Sequence, residues 1–313
     1  MFFGEQCGKL KKGNTDHEKN IQVKFSQKEF KYSLGFRIGK GCDGETRVAT
    51  KGKGKTYCAK IIPLPKGDAE KRERTEREVE ALRRVRGHRN VVHFEEAFLV
   101  FQHGMEYAVL VMELFGKQDL FQLFREGFYF KEKYLSKIIS QLVDALIFCH
   151  KERVVHRDVK LQNVLIEPLS FHVKLIDFGL SAVCETDEEM SELDRLCGSP
   201  FYVPPEVYNG HYDGRKSDVW SLGVLLYALT ANKFPFDNTK KDLSKLRESV
   251  QNDPFEIPIC SAYLANLLEE MLEKNPNKRI SLEEIKSHDW IQTKNSPKKS
   301  VKHLKTKHHS LNF

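Results

Sequence analysis

The sequence predicts an α+β fold in two lobes, a small strand-rich N-terminal lobe followed by a larger helical C-terminal lobe. Residues 30–113 mix short apolar runs of strand length with one strongly charged helical stretch. From about residue 119 the pattern becomes mainly helical, and the segment "ELFGKQD" joins the two parts. A chain of 313 residues is long enough to build both lobes.

Two strands and one helix are predicted in the N-terminal lobe. Residues 57–62 and 107–112 are rich in apolar, β-branched and aromatic side chains, which is typical of strands. The stretch "DAEKRERTEREVEALRRV" predicts a helix between them. Val79, Leu82 and Val85 recur at spacings of three on one face, whereas glutamate and arginine cover the other faces.

In the C-terminal lobe, "YLSKIISQLVDALIFCH" and "KSDVWSLGVLLYALTA" have the length and apolar density of core helices. The amphipathic segment "PNKRISLEEIKSHDWI" closes the globular part near Ile291. The predicted organisation is a polar, lysine-rich N-terminal extension over 1–29, a globular domain over 30–291 with lobes of about 30–113 and 119–291, and a basic C-terminal tail over 292–313.

The net charge of +7 comes from the two ends of the chain. Residues 292–313 contain six lysines and no acid, and residues 1–29 contain six lysines against four acids, which leaves about −1 for the rest. The tail segment "SPKKSVKHLKTKHH" is either a solvated, flexible end or a contact for an anionic partner or an import receptor. No clear nucleic-acid site is expected.

Cysteine usage indicates the compartment. The seven cysteines are odd in number, widely scattered and lack the spacing of zinc ligands. This favours reduced thiols and a cytoplasmic and/or nuclear location. The N-terminus has no sustained apolar segment of a secretory signal, and the longest apolar stretch is too short for a bilayer, so no membrane contact is expected.

A glycine-rich segment, "IGKGCDGET", places Gly39, Gly41 and Gly44 in a G-x-G-x-x-G pattern. Glycines allow backbone N–H groups to approach phosphate oxygens without a Cβ in the way. Alone the pattern is weak, because turn-rich loops meet it by chance. A dinucleotide-binding loop needs a helix directly after it, but "RVATKGKGKTYCAKII" predicts a turn and a second strand.

Lys60 lies sixteen residues beyond the last of these glycines, in the apolar strand "YCAKII". One interpretation is an edge lysine whose ammonium group reaches solvent along its aliphatic stem. The other is a cation held over nucleotide phosphates by a carboxylate, for which Glu78 on the charged helix is the candidate.

Two apolar runs, residues 154–155 and 164–166, flank a polar loop in "VVHRDVKLQNVLI" and predict short buried strands. Unpaired buried charge is costly, so these polar groups need partners. Fourteen residues after Asn163, the segment "IDFG" adds Asp177. Asn163 and Asp177 offer the oxygen ligands that Mg²⁺ prefers, alongside phosphate oxygens.

These segments, "IGKGCDGET", "YCAKII", "HRDVKLQN" and "IDFG", together resemble the signature of protein kinases over roughly residues 30–291, in the order typical of that family. The resemblance implies a two-lobed protein-kinase fold with one regulatory helix in the N-terminal lobe, and ATP with Mg²⁺ as cofactors. The implied roles are proton acceptance or orientation by Asp158, support of the phosphoryl group by Lys160, positioning of the α- and β-phosphates by Lys60 with Glu78, and metal binding by Asn163 and Asp177.

The resemblance also implies a nucleotide site between the lobes. Met112 resembles the gatekeeper, Glu113 and Phe115 offer backbone hydrogen bonds to adenine, and Leu165 lies beneath the ring. The other residues implied to line the nucleotide are Ile38, Gly39, Lys40, Gly41, Cys42, Asp43, Gly44, Glu45, Thr46, Cys58 and Lys60.

Supporting elements match the family as well. Asp218 resembles the buried anchor under the catalytic loop, and Glu206 in "VPPE" is expected to pair with Arg279. The apolar stack that joins the lobes of an active kinase is expected to contain Leu82, Phe94, His156 and Phe178.

Substrate class follows from two further matches. Lys160 after the catalytic aspartate, and Ser199 at the usual threonine position of "CGSPFYVPPE", resemble serine/threonine kinases. "SDVWSLGVLLYALTANKFPFD" and "SHDWI" resemble the calcium/calmodulin-dependent, AMP-activated and checkpoint kinase group, which implies a role in signalling or cell-cycle control. Asp119 stands where that group often has an acid that attracts a basic residue upstream of the target, but Gln162 replaces a supporting glutamate. Protein substrates with a diluted basic preference are therefore expected.

Three positions depart from the family pattern. Thr46 replaces the usual valine, Cys58 the usual alanine, and Asp43 a residue that is commonly aromatic. None of these changes removes a phosphate-binding or metal-binding group. One alternative is a catalytically weak pseudokinase that acts as a scaffold, although a scaffold does not need all the catalytic groups. A small-molecule kinase is a second alternative, but it would not need the peptide-binding segment "CGSPFYVPPE".

The segment "LSAVCETDEEMSELDRL" contains six acids and one basic residue. Kinases with an arginine before the catalytic aspartate, as Arg157 is here, often need a loop phosphate to neutralise a basic pocket, and Arg74 is a candidate to share that pocket. In AMP-activated-type relatives the phosphorylated threonine lies two residues before the cysteine of "CGSP", where this chain has Arg195.

Two interpretations of this acidic segment remain open. In the first, a carboxylate of the 185–194 run, with Glu192 or Asp194 as the nearest candidates, partly replaces the phosphate. In the second, the loop is solvated and mobile, and phosphorylation at Thr186 or Ser191 is still required.

Overall fold

The computed structural model describes residues 26–27, 32–41, 43–52, 54–116, 118–236 and 242–292. The predicted C-terminal tail beyond Gln292, most of the N-terminal extension and Cys42 lie outside these residues. The described residues confirm the predicted α+β architecture, because one sheet dominates the N-terminal part and helices dominate the remainder.

A six-stranded sheet forms the N-terminal lobe. Its strands are β1 (Ser26–Gln27), β2 (Ser33–Lys40), β3 (Glu45–Lys51), β4 (Lys55–Leu64), β5 (Phe94–Gln102) and β6 (Met105–Glu113). They are ordered β1-β5-β6-β4-β3-β2, and only the β1–β5 pair among them is parallel. The strands predicted at 57–62 and 107–112 are the central parts of β4 and β6. Ser26–Gln27 joins the sheet, although the sequence placed it in the extension.

Two sequence features shape this sheet. His103 and Gly104, with φ of 51° and 79°, form the two-residue turn between β5 and β6, and such a turn matches the right-handed twist of the strands. Gly44 approaches β4 so closely that a Cβ atom there would lie 2.0 Å from the carbonyl oxygen of Ile61. Only glycine therefore allows the end of the glycine-rich loop to lie against β4.

The charged stretch of the N-terminal lobe forms α1 (Ala69–Arg84). The Asp68 side chain begins the helix by accepting a hydrogen bond from the Lys71 N–H group. Val79, Leu82 and Val85 are all buried, which confirms the predicted apolar face. That face packs on the sheet and turns the neighbouring Glu78 inward.

The C-terminal lobe is built around α5 (Gly214–Ala231), a helix that is buried over most of its length. Among the described residues no helix combines the length and apolar character needed to cross a membrane. The other helices are α2 (Leu120–Arg125), α3 (Glu132–Lys151), α4 (Asp187–Ser191), α6 (Leu243–Asn252), α7 (Ala262–Met271), α8 (Leu282–Ser287) and α9 (Asp289–Gln292).

The predicted core helices are confirmed as α3 and α5. The segment "PNKRISLEEIKSHDWI", which the sequence described as one amphipathic segment, contains two short helices, α8 and α9. Ser281 caps α8 in a reciprocal capping box with Glu284, so the helical part of this segment begins only at Leu282. His288 then has an extended backbone, with φ −62° and ψ 141°, and it separates α8 from α9.

Short strands hold the polar loop of the sequence. The loop lies between β8 (Val154–Val155) and β9 (Val164–Glu167), as the flanking apolar runs predicted. The remaining strands are β7 (Gln118–Asp119), β10 (His172–Leu175) and β11 (Ala182–Val183). β9 pairs with β7 and β10, and β8 pairs with β11.

A buried ion pair ties the segment before α5 to the segment before α8. Arg279 donates from its two terminal nitrogens to the Glu206 carboxylate at 2.5 and 2.9 Å, and its side chain is fully buried. This is the pairing that the sequence predicted. Because both charges are removed from water, each needs the other.

We expect Arg279→Met to lower the free energy of unfolding by about 3–5 kcal/mol, because it leaves the Glu206 carboxylate buried without its partner. Chemical denaturation followed by circular dichroism measures this loss. The control is Lys286→Ala, which removes an exposed pair with Asp144 and is expected to cost less than about 1 kcal/mol. Equal losses in the two variants would contradict the prediction.

Candidate active site

The loop between β8 and β9 is held from below by Asp218. One oxygen of this fully buried carboxylate accepts the N–H group of His156 at 3.0 Å, and the other accepts that of Arg157 at 2.8 Å. His150 Nε2 lies 2.8 Å from the same carboxylate. Arg157 has a φ of 62°, a conformation that costs energy in a non-glycine residue. The Asp218 anchor therefore fixes the backbone that leads directly into Asp158.

Asp158 lies at the centre of a polar cluster. Its Oδ2 atom accepts hydrogen bonds from Lys160 Nζ at 2.5 Å and from Asn163 Nδ2 at 3.0 Å. Its Oδ1 atom accepts a hydrogen bond from the Ser199 hydroxyl at 2.9 Å. Lys160 Nζ also donates to Ser199 Oγ at 2.9 Å. The carboxylate thus already receives a serine hydroxyl in hydrogen-bond geometry, beside a cation.

A second charged cluster joins the two lobes. Lys60 Nζ donates to Glu78 Oε1 at 2.6 Å and to Asp177 Oδ1 at 2.8 Å. β4 lies between β3 and β6, so Lys60 is not on an edge strand, and its side chain is only 14% exposed. The alternative of an edge lysine that reaches solvent is therefore wrong. The structure instead brings together the three charged groups named from the sequence.

Burial and charge act in opposite directions on this cluster. Burial by itself would lower the pKa of Lys60, but the Glu78 and Asp177 carboxylates hold that pKa above its usual range. Burial would raise the pKa of Asp177, yet Lys60 lowers it to about 2. For Glu78, burial raises the pKa above its usual value. The lysine thus remains a cation throughout the physiological pH range, with Asp177 ionised beside it.

Asn163 and Asp177 form a donor set that fits Mg²⁺. The backbone carbonyl of Asn163 accepts the N–H group of Ile176 at 2.9 Å, which places the two segments side by side. The Asn163 amide nitrogen donates to Asp158, so its amide oxygen is the group directed elsewhere. Amide and carboxylate oxygens are hard ligands, and Mg²⁺ in nucleotide sites takes few protein ligands together with phosphate oxygens and waters.

Gly179, the glycine of "IDFG", leaves room for the cluster of Lys60, Glu78 and Asp177. A Cβ atom on Gly179 would lie 3.3 Å from Asp177 Oδ1 and from Glu78 Oε2, and 3.5 Å from Lys60 Nζ. Asp177 itself has a φ of 61°. The strained backbone and the missing side chain allow the carboxylate to turn toward the lysine.

The sheet places four of the residues predicted to line the nucleotide on neighbouring strands. Cys58 pairs in register with Met112, and Thr46 pairs with Lys60. Burial raises the pKa of the Cys58 thiol to about 11, so it behaves as an apolar group. The glycine-rich segment consists of Ile38, Gly39 and Lys40 in β2, Gly41, Asp43 and Gly44 in the turn, and Glu45 at the start of β3, whereas Cys42 lies outside the described residues.

The segment between the lobes is held by a lysine that the sequence reasoning missed. Lys174 Nζ lies 2.7 Å from Glu113 Oε1 and 5.4 Å from the centre of the Phe115 ring. The same Glu113 oxygen accepts the His93 N–H group at 2.6 Å, and the Glu113 N–H group donates to the His93 carbonyl at 2.9 Å. Lys174 is buried in the apolar strand "HVKL", the same signal that singled out Lys60.

One contact of the predicted interlobe stack is seen directly, and its other members lie in a shared core. His156 and Phe178 are in edge-to-face contact, with ring centres 4.8 Å apart. Leu82 and Phe94 are buried in the same core as Phe178. Leu82 comes from α1 and Phe94 from β5, so this core connects the helix that carries Glu78 with the loop that carries Asp158.

Asp119 has a structural role that competes with its predicted one. Its carboxylate begins α2 by accepting the Gln122 N–H group at 2.8 Å, and the Gln122 side chain accepts the Asp119 N–H group in return. Burial raises the pKa of this carboxyl. One oxygen of Asp119 is thus already used by the helix. The Gln162 amide oxygen is buried and lacks a hydrogen-bond partner within the described residues.

The acidic segment does not make the contact with Arg157 that was predicted for Glu192 or Asp194. Arg157 donates to the backbone carbonyls of Leu180 and Ser181, at 2.7 and 3.2 Å. Glu192 and Asp194 are exposed and form no ion pair with any residue that the structure describes, so they do not replace a phosphate at Arg157.

Arg74 is also placed differently from the expectation. It forms an ion pair with Asp43 at the tip of the glycine-rich loop and does not reach the Arg157 region. The shorter of the two ion pairs between α1 and the acidic segment is made by Arg84 and Glu185, at 2.8 Å. Exposed arginines reach several Å from the backbone, which is why sequence position alone did not identify their partners.

Comparison with known proteins agrees with this geometry. A family model described as "Protein kinase domain" matches residues 32–291. The "Probable serine/threonine-protein kinase MARK-B" of Dictyostelium discoideum is 31% identical over 288 residues, which cover 90% of this chain and 39% of that protein. "NUAK family SNF1-like kinase 2" of Homo sapiens is 32% identical over 263 residues, which cover 83% and 40%. "CBL-interacting serine/threonine-protein kinase 17" of Arabidopsis thaliana is 33% identical over 272 residues, which cover 85% and 61%. The chain therefore matches less than two thirds of the length of each of these relatives.

Proposed function

We infer that this chain, which belongs to the protein kinase family, transfers the γ-phosphate of Mg-ATP to serine and threonine hydroxyls of protein substrates. The observation that carries the proposal is the hydrogen bond from the Ser199 hydroxyl to Asp158, with Lys160 bound to both. This arrangement supports the proposal, because a hydroxyl is hydrogen-bonded to the carboxylate next to a positive charge.

Asp158 is proposed to orient the substrate hydroxyl and to accept its proton as the oxygen attacks phosphorus. Lys160 is proposed to stabilise negative charge on the phosphoryl group being transferred. ATP supplies that group when bound, and Mg²⁺ neutralises its charge. The protein contributes positioning and electrostatic stabilisation, with little covalent chemistry of its own.

Lys60 and Glu78 are proposed to fix the phosphates under the glycine-rich loop, and Asn163 with Asp177 to hold the metal. Lys60 contacts Asp177 directly in the structure, so phosphate and metal binding would share the same polar cluster. For adenine, the Glu113 carbonyl and the Phe115 backbone are the proposed partners, because the Glu113 N–H group is already bonded to His93. Cys58, Met112 and Leu165 would enclose the ring.

The serine/threonine preference rests on Lys160 and Ser199. They contact each other and Asp158, so the substrate hydroxyl must approach beside them. A short aliphatic hydroxyl fits this position better than a tyrosine, whose ring would hold the oxygen further from its backbone. Named serine/threonine kinases among the relatives support the same class.

A preference for basic residues upstream of the target is also proposed, in a weak form. Asp119 supplies a carboxylate, but one of its oxygens caps α2. Gln162 adds no charge, and its amide oxygen is buried, so this residue does not strengthen the preference. We expect peptides with upstream arginine to be phosphorylated about 2- to 5-fold faster than matched alanine peptides, as for a single exposed charge pair.

Cytoplasmic and/or nuclear location is proposed from the cysteines. The five cysteines in the described residues are all free thiols, which suits a reducing compartment. Import through the basic tail remains a proposal from the sequence. Deleting residues 293–313 and following a fluorescent fusion by microscopy tests it, and unchanged nuclear signal would contradict it.

A peptide-array assay with Mg-ATP tests the proposed activity. We expect incorporation of phosphate into serine and threonine peptides, and none into tyrosine peptides. A scaffold without activity would phosphorylate no peptide while still melting as a folded protein. In a folded and nucleotide-binding preparation that result would overturn the proposal.

We expect Arg74→Ala to raise the KM for ATP by about 2- to 5-fold with a smaller change in kcat. Arg74 neutralises Asp43 and holds the tip of the glycine-rich loop against α1. Its loss leaves a negative charge facing the phosphates. Asp43→Ala removes that charge together with the tether, so its effect should be smaller.

Steady-state kinetics with varied ATP measures both variants. The matched control is Arg72→Ala, which removes an arginine of the same helix that pairs with Glu106 and does not touch the loop. Exchanging the charges at positions 43 and 74 should restore most of the affinity. A KM for Arg74→Ala equal to that of Arg72→Ala would show that the pair has no role in nucleotide binding.

A further inference from the structure

The acidic segment after β11 is bound to the last turn of α1 by one arginine. Arg84 donates from Nη1 to the carbonyl oxygen of Cys184 at 2.8 Å and from Nη2 to Glu185 Oε1 at 2.8 Å. Its Nε atom donates to Glu80 Oε1 at 3.1 Å, within α1. All three guanidinium nitrogens of Arg84 therefore donate hydrogen bonds, and the side chain is only 24% exposed. Such charge-assisted contacts are stronger than an isolated surface pair.

Glu185 is fixed in place from the C-terminal lobe. β11 pairs with β8, with Ala182 opposite Val155 and Val183 opposite Val154. The Cys184 N–H group donates to the Arg153 carbonyl at 2.9 Å. The Glu185 N–H group donates to Glu189 Oε2 at 2.8 Å, which ties it to α4. The partner of Arg84 is thus attached to the strand that leads into the catalytic loop.

The Arg84–Glu185 contact lies less than two turns along α1 from Glu78, the partner of Lys60. Arg84 is six residues after Glu78, which at 1.5 Å per residue is about 9 Å along the axis. A rigid helix held at its last turn keeps Glu78 at a fixed height above the cleft. Holding the last turn of α1 to the C-terminal lobe therefore helps to keep Glu78 within 2.6 Å of Lys60.

The candidate phosphorylation sites of the segment already have structural hydrogen bonds. Thr186 Oγ1 accepts the Glu189 N–H group at 3.2 Å as the cap of α4, and the Ser191 hydroxyl donates to the Glu188 carbonyl at 2.7 Å. Asp187, Glu188 and Glu189 follow Thr186 directly. A phosphate placed there would face these carboxylates and meet like-charge repulsion.

A second contact joins the segment to the first turn of α1. Arg195 donates to Glu70 Oε1 at 3.3 Å, but Glu70 is 81% exposed, so this pair contributes little by itself. In this pair the segment supplies the positive charge and α1 the negative charge. A phosphorylated segment bound to a basic helix would have the opposite arrangement. The Arg84 contact therefore remains the stronger of the two links between α1 and the segment.

We propose that Arg84 and Glu185 are positioning residues, which hold α1 in the arrangement with Lys60 and Glu78 paired and make the activity independent of phosphorylation of the acidic segment. The proposal rests on the proposed kinase function and adds its regulation. It replaces the expectation that Glu192 or Asp194 would act at Arg157.

The experiment uses the full chain treated with phosphatase and confirmed unphosphorylated by intact mass. Wild type should phosphorylate an exogenous peptide without a lag. Glu185→Gln and Arg84→Gln should each lower kcat by about 5- to 30-fold with little change in the KM for peptide. The double variant Glu185→Gln with Arg84→Gln should lose less than the product of the two single losses, because both substitutions remove the same contact. Glu192→Gln, which removes one charge from the same segment without touching Arg84, should behave as wild type.

Hydrogen exchange followed by mass spectrometry gives a readout that does not depend on catalysis. Glu185→Gln should raise exchange in the last turns of α1, whereas Glu192→Gln should not. Equal exchange in these two variants, a double variant whose loss equals the product of the two single losses, or activity only after treatment with an upstream kinase would each overturn the proposal. A chain that phosphorylates no peptide under any treatment refutes the kinase function, and the exchange data then still decide whether the pair holds α1.

Discussion

Asp158→Asn is expected to lower the rate of peptide phosphorylation by about 10²- to 10⁴-fold, the range typical of lost general acid–base catalysis. Asparagine keeps the shape of the side chain but cannot take the proton of the substrate hydroxyl. The variant also removes the negative charge that binds Lys160 at 2.5 Å and Asn163 at 3.0 Å. The fold should survive, because the loop backbone is anchored by Asp218 rather than by Asp158.

The measurement needs a purified, tag-captured preparation free of host kinases, with thermal unfolding recorded in parallel. Asp194→Asn is the matched control, since it makes the same chemical change at an exposed site outside the catalytic cluster. The control should retain wild-type activity. If Asp158→Asn stays within about tenfold of wild type, the assignment of Asp158 as proton acceptor is wrong.

The local part of the site could be predicted from the sequence because its geometry is fixed by short loops. Asp158, Lys160 and Asn163 lie within six residues of one another between two short strands. Their mutual contacts therefore depend on one loop conformation. The Lys60–Glu78 pair could be predicted for a different reason. Each residue is a charge on an otherwise apolar face, so burial of that face brings the two together.

The contacts that the sequence did not reveal are made by charged side chains on polar faces. α1 carries arginines at positions 72, 74, 77, 83 and 84, and nothing in their spacing separates the one that reaches Asp43 from the one that reaches Glu185. Their partners depend on how the lobes are oriented and on which rotamer each long side chain adopts. Asp119 illustrates the same limit, because a motif position and a helix cap are indistinguishable until the start of α2 is known.

Lys174 shows that a pattern can be informative and still be overlooked. It lies in an apolar strand, as Lys60 does, and it pairs with Glu113 at 2.7 Å. In the sequence it stands three residues before Asp177, and nothing in the pattern of its strand identifies Glu113 as its partner. The general rule that a buried lysine needs a carboxylate partner applies to both residues.

Lys60→Met is expected to lower kcat/KM by about 100-fold or more, whereas Lys55→Met should change it by only about 2-fold. Both lysines belong to β4, but they have different surroundings. Lys60 is 14% exposed and binds two carboxylates. Lys55 is exposed and lies 5.0 Å from the centre of the Tyr57 ring, away from the cleft. Methionine preserves the aliphatic volume at either position, so the comparison isolates the charge.

The physical reason for the difference is that Lys60→Met leaves Glu78 and Asp177 without their shared cation. The buried Glu78 carboxylate then has an unpaired charge or takes up a proton, and α1 loses the contact that draws it toward the cleft. Peptide phosphorylation with varied ATP measures the two variants, and urea unfolding separates lost activity from lost stability. Because only Lys60 faces the carboxylates, equal losses of kcat/KM at the two positions would mean that β4 presents its other face to the nucleotide.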